Sequence, residues 1–114
     1  MTPELTEAAK RVVSSPKWRW MLGMQAVTPD GLYGHRITEH TLVIDHGMLP
    51  DLNDPATVGC IVALLREARG EPNGYICLVT SLRWAWVCGL PVAQVFWIGV
   101  TEVEALVLAL ENTP

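Results

Sequence analysis

The sequence predicts a single α+β domain over residues 1–114, in which three helices pack mainly on one face of a single antiparallel sheet. That sheet is expected to hold about four or five strands. Three observations predict this class. Three segments carry apolar residues at helical spacing and open on capping residues. The segments between them are rich in β-branched and aromatic residues, several at period two. Turn signals recur along the chain at Pro16, Pro29-Asp30-Gly31, Gly47, Pro50, Gly70, Pro72, Asn73-Gly74, Gly89 and Pro91, which keeps the connections short. The order that results is α-β-β-α-β-β-β-α.

The first helix rests on Leu5, Ala8, Ala9, Val12 and Val13, one apolar stripe at i, i+3, i+4, i+7 and i+8. Thr2 is placed to cap it, with Pro3 at the first helical position, where a missing N–H costs nothing. Ser14, Ser15 and Pro16 end it. The next segment, Lys17 to Gln25, reads as a strand: Trp18, Trp20, Leu22 and Met24 occupy every second position, against Arg19, Met21, Gly23 and Gln25. It is expected to pair with the segment after Gly34. Ile37 to Asp45 has the β-branched content of a second strand.

The second helix is the clearest element. Asp54 is its N-cap and Pro55 takes the first position. Val58, Ile61, Val62, Leu65 and Ala68 form the stripe, Arg66 and Arg69 sit where the helix dipole favours cations, and Gly70 stops the helix. Gly59 in the second turn is costly in a helix, and close contact with another backbone is the simplest reason for it. Tyr75 to Thr80 and Arg83 to Cys88 form a hairpin around Ser81-Leu82, and Ala93 to Ile98 is a further apolar strand. In the third helix Thr101 and Glu104 have the spacing of a capping box, followed by the stripe Val103, Leu106, Val107 and Leu110.

Hydrophobic residues make up 50% of the chain and charged residues 18%. That composition excludes a disordered chain and leaves few charges to coat the surface, so a partner or a second copy is expected to cover part of it. The net charge of −4 disfavours nucleic acid and anionic membranes as partners. No apolar run approaches the roughly 18 residues of a membrane span, and the N-terminus lacks a signal-peptide pattern. A cytosolic location follows as an expectation, with the three cysteines as thiols.

Chemistry-bearing motifs are sparse. Cys60, Cys77 and Cys88, and His35, His40 and His46, lack metal-ligand spacing, so no metal or other cofactor is expected. Cys77 and Cys88 could approach one another across the hairpin, but two small buried thiols are the preferred reading. Asp45 and His46 are sequence neighbours, which a strand points to opposite faces. Asp51 and Asp54 read as helix approach and cap, not as an acid–base pair. No nucleophile elbow and no phosphate-binding glycine loop appears. The chain is therefore read as a non-enzyme.

Five tryptophans, against one Phe and two Tyr, are the most informative residues. Trp18 and Trp20 are expected to share one face of their strand, and Trp84 and Trp86 one face of theirs. Tryptophan, methionine and arginine are enriched at protein interfaces. The predicted partner-binding set is accordingly Trp18, Arg19, Trp20 and Leu22, with Arg83, Trp84 and Trp86. The Lys17-Trp18-Arg19-Trp20 and Arg83-Trp84-Ala85-Trp86 runs also set aromatics beside basic residues, as RNA-binding sheets do. That keeps a small nucleic-acid-binding domain as an alternative.

At Pro16-Lys17-Trp18-Arg19-Trp20-Met21, at Leu49-Pro50-Asp51-Leu52-Asn53-Asp54-Pro55-Ala56-Thr57-Val58-Gly59-Cys60 and at Thr101-Glu102-Val103-Glu104-Ala105-Leu106-Val107, the chain resembles small uncharacterised open reading frames of bacteriophages and prophages. The resemblance brings no functional residues with it. It implies an accessory protein in a bacterial host cytosol that binds a host protein or complex, as inhibitors of CRISPR and other defence systems do. A self-associating component of the phage particle, for which a homodimer would be the simplest unit, is the alternative it implies.

Overall fold

A computed structural model describes residues 2–39, 47–81, 83–87, 95–99 and 101–113. The fold is α+β. Its elements run α1 (Pro3–Val13), β1 (Gln25–Val27), β2 (Gly34–Arg36), β3 (Leu49–Pro50), α2 (Pro55–Arg69), β4 (Tyr75–Thr80), β5 (Arg83–Val87), β6 (Val95–Gly99) and α3 (Glu102–Glu111). The chain forms two compact units, Met1–Cys60 and Ile61–Pro114, and the division falls within α2. Each unit has its own sheet, so the expected single sheet is corrected to two antiparallel ones, ordered β2-β1-β3 and β4-β5-β6. The physical reason lies in the first sheet. Its strands are two or three residues long, both sides of β1 are occupied, and Pro50 on the β3 edge has no N–H to donate.

In the first unit α1 forms as its stripe requires. The Thr2 hydroxyl accepts from the Leu5 N–H at 3.2 Å, and Ala9 and Val12 are buried. The predicted strand over Lys17 to Gln25 is corrected: only Gln25 belongs to a strand. Two backbone donors of that segment close local turns, Trp18 N–H to the Ser15 carbonyl and Met24 N–H to the Met21 carbonyl, Gly23 N–H reaches the Ile37 carbonyl at 2.9 Å, and Gly23 takes a φ of 95°, outside the β region. Period two marked an extended, apolar stretch without supplying it a ladder. Gln25, the one residue of that prediction in a strand, faces Arg36 in the segment where pairing was expected, and Ala26 and Val27 extend the pairing to His35 and Gly34. Ile37 N–H donates to the Met24 carbonyl at 2.8 Å and prolongs the pairing by one residue. Of the second predicted strand, Ile37 to Glu39 are corrected to lie outside any strand, since β2 ends at Arg36, and residues 40–45, with His46, lie outside the described residues. Met24, Ala26, Ile37, Leu49 and Leu52 are buried with α1's apolar stripe.

α2 ends as its sequence predicts. Gly70 adopts φ 63°, its N–H donates to the Glu67 carbonyl, and Glu71 N–H donates to the Arg66 carbonyl, which is a Schellman stop. The expected reason for Gly59 is corrected. A Cβ built there would meet no atom within 4 Å, and the residue is exposed. Nothing in the structure explains a glycine at this position. Gly59→Ala is therefore expected to stabilise the protein by about 0.5–1 kcal/mol through helix propensity and lower unfolded-state entropy. Thermal unfolding checks this; a lower midpoint in the variant would show that a side chain is not tolerated at that point.

In the second unit β4 and β5 form the predicted hairpin, with Thr80 facing Arg83 and Tyr75 facing Val87. Cys77 faces Ala85 in that register; Cys88 lies outside the described residues. β6 runs antiparallel to β5 over Val95–Gly99, where Ala93 to Ile98 was predicted. α3 packs on this sheet, and Gly99 allows the close approach: a Cβ there would lie 2.5 Å from the Ala105 backbone nitrogen. Thr101 caps α3 by accepting from the Glu104 N–H at 3.1 Å. Ala105, Leu106, Val107, Ala109 and Leu110 are all buried, so the buried arc is wider than the predicted stripe.

Candidate protein-interaction site

The segment between α1 and β1 carries the candidate site of the first unit. Ser15 and Pro16 turn the chain out of α1, and the Ser15 hydroxyl accepts from the Lys17 N–H at 3.2 Å. Trp18 and Trp20 follow. Their rings meet edge to face, 5.3 Å between centroids and 75° between planes, the arrangement that aromatic quadrupoles favour. Both are half-buried, and Arg19 between them is exposed. The Trp18 indole nitrogen is buried without an acceptor among the described residues, so apolar and aromatic contact holds that ring. Beyond them the apolar run divides: Met24 is fully buried while Leu22 is 61% exposed.

What holds Leu22 outward is a network that the sequence did not disclose. The Cys60 thiol donates to the Leu22 carbonyl at 3.5 Å. Arg36 Nη1 donates to the Gly23 carbonyl at 2.9 Å, and the same guanidinium grips Asp54 through both nitrogens at 2.6 and 3.1 Å. Asp54 Oδ2 also accepts from the Thr57 N–H at 3.0 Å and from its hydroxyl at 2.8 Å. The buried Thr57 hydroxyl oxygen accepts from the Gln25 N–H at 2.9 Å. The loop from Leu22 to Gln25 is thus fastened by the N-terminal turns of α2 and by the last residue of β2. The Arg36 guanidinium holds the Asp54 carboxyl down at about 2, helped by Thr57 and opposed by desolvation.

This chemistry is that of a scaffold. Asp54 is saturated as cap and ion-pair partner, and Asp51 Oδ1 accepts from the Asn53 N–H at 3.0 Å, so both carboxylates have the structural tasks expected of them. Burial pushes the Cys60 thiol up, which disfavours the nucleophilic thiolate. Among the described residues no group of three or more His, Cys, Asp or Glu could hold a metal ion, and no helix is long and apolar enough to cross a membrane.

Two further exposed apolar residues were not singled out by sequence reasoning. Leu32 and Tyr33 are 76% and 74% exposed in the loop between β1 and β2. Asp30 builds that loop by accepting from the Thr28 hydroxyl and the Leu32 N–H, which also lowers its pKa. The Pro29-Asp30-Gly31 turn signal, read together with the Leu-Tyr pair after it, was the clue available.

The remaining predicted residues belong to the second unit. Arg83 is exposed beside the hairpin turn, and Trp84 is half-buried opposite Leu78. Trp86 is fully buried and is removed from the partner-binding set. Its indole N–H donates to Glu71 Oε1 at 3.2 Å, Glu71 also pairs with Arg69, and the ring lies so close over Gly74 that a Cβ there would be 2.1 Å from Cζ2. Trp84 and Trp86 share a sheet face, as predicted. That face is closed at the Gly74 end and is more open toward Leu78, which is 53% exposed. Comparison with family models, with curated proteins and with solved structures finds no match to this chain.

Proposed function

We propose that the protein is a non-enzymatic binding protein that engages a protein partner through Trp18, Arg19, Trp20 and Leu22. The observation that carries the reading is the division of the apolar run. A segment rich enough to form core turns only Met24 fully inward, keeps two tryptophans half-buried, and presents Leu22 and Arg19 to solvent. Half-buried aromatics beside an exposed aliphatic and an arginine are the composition of an interface anchor. Fastening of Leu22 and Gly23 by Cys60 and Arg36 supports it further, because a prefixed loop loses little entropy on binding. The resemblance to phage reading frames supplies the setting: the partner is a bacterial host protein, and a component of a defence complex that is blocked by occupation fits a small accessory protein.

The test separates binding from folding. Leu22→Arg changes a side chain that is 61% exposed, so it is expected to leave the unfolding free energy within about 0.5 kcal/mol of wild type; Arg19→Glu reverses an exposed charge, and its unfolding free energy is measured alongside. Each is also expected to lose the bacterial protein that the wild-type chain retains on an affinity column. Retention of the same protein by both variants, or no retention by wild type, refutes the reading.

A further inference from the structure

We propose that β4 is a docking edge for a second copy of this chain, joining two three-stranded sheets into one continuous antiparallel sheet. β4 ends the order β4-β5-β6, and among the described residues β5 is its one strand neighbour. An edge strand aims alternate N–H and C=O groups away from its neighbour, and natural edges are blunted by brevity, charge, proline or bulges. The other edges carry such devices. β3 is two residues long and ends in Pro50; β2 is three residues long and ends in the exposed Arg36. β6 is interrupted by a register shift between the partners of Ala85 and Trp86.

β4 is the least protected of the four: its one such device is the register shift at its end, between Leu78 and Thr80. Tyr75-Ile76-Cys77-Leu78-Val79-Thr80 carries no charge, no proline and no glycine. Its register against β5 is regular from Tyr75 to Leu78, and the irregularity comes only between Leu78 and Thr80. Leu78 is 53% exposed on this edge strand.

The partner's identity follows from the same features. An uncharged strand is compatible with itself, since an antiparallel pairing of two copies sets no like charges opposite one another. A two-fold axis perpendicular to the sheet keeps every residue on its own face, so a symmetric pair must be centred on a residue and not between two. The exposed Leu78 selects Cys77 as the centre, because that register sets a residue of the second copy against it. Ile76 of each copy then faces Leu78 of the other, and the exposed leucine is covered. The low charge content of the chain, 18%, agrees with a surface that is partly closed by self-association. This proposal concerns the second unit and does not depend on the Trp18–Leu22 reading.

The experiment uses the full-length protein. Sedimentation equilibrium of wild type is expected to give a two-chain mass, and Leu78→Lys a one-chain mass with unchanged circular dichroism. Short bismaleimide cross-linking of wild type, mapped by mass spectrometry, is expected to join Cys77 to Cys77 of the second copy, because facing residues lie about 4.5–5.5 Å apart at Cβ. Cross-linking reads the register independently of how well the lysine variant folds. A one-chain mass for wild type at concentrations up to about 1 mM overturns the proposal. So does a two-chain mass that Leu78→Lys leaves intact, or a two-chain species in which Cys77 is not joined to Cys77.

Discussion

Trp86→Ala is expected to cost about 3–5 kcal/mol, the range for removing a buried tryptophan or phenylalanine. That is a large part of the roughly 5–15 kcal/mol that holds a domain of this size together. Trp86 is the largest fully buried side chain among the described residues. Two terms add. The indole leaves a cavity over Gly74, a position that carries no side chain with which to refill it. The Glu71 carboxylate loses the indole N–H and keeps its ion pair with Arg69. Trp86→Phe separates the terms: it keeps most of the ring and removes the hydrogen bond, for about 1 kcal/mol plus a smaller packing loss. Trp84→Ala, at a half-buried position in the same strand, is the control and is expected to cost clearly less. Chemical denaturation of the three variants checks the order. Equal losses for Trp84→Ala and Trp86→Ala would contradict the burial on which the reassignment of Trp86 rests.

The second large effect is at Asp54. Asp54→Ala removes the cap of α2 and the acceptor of both Arg36 nitrogens, and is expected to cost about 2 kcal/mol, the upper end for a cap. Asp54→Asn keeps a capping oxygen and removes the charge, so it should cost less. The pH dependence follows from the depressed carboxyl. Its folded value, about 2, lies below the ordinary 3.8. The stabilisation is therefore fully present above the ordinary value and is lost as pH falls through the folded one. Wild type is expected to lose stability relative to Asp54→Asn between roughly pH 4 and pH 2, and the loss should shrink in high salt because Arg36 is partly exposed. Parallel curves for the two proteins in that window would mean that Asp54 is not the group that titrates. Loss of this pair should also loosen the Leu22–Gln25 loop, because Arg36 holds the Gly23 carbonyl with the same nitrogen that grips Asp54.

The sequence by itself determined the elements whose causes are local. Thr2, Pro3, Asp54, Gly70 and Thr101 act within one turn of where they stand, so the three helices begin and end as their caps and stops dictate. The β4–β5 hairpin was equally legible, because its two strands are separated by two residues and share an alternating pattern. The tertiary structure decided everything that depends on a distant partner. Period two around Trp18 could not say whether a ladder was available, and two of the donors went to turns instead. Gly59 looked like a contact and is open, whereas the contacts that do need glycine are at Gly74 and Gly99. Trp84 and Trp86 have the same residue type and the same face, and only the Gly74 turn explains why one is half-buried and the other core. The Arg36–Asp54 pair joins residues eighteen apart in the chain, and no spacing rule reaches across that loop. Composition and periodicity report which groups must be buried or capped; which neighbour does it is fixed only when the chain closes on itself.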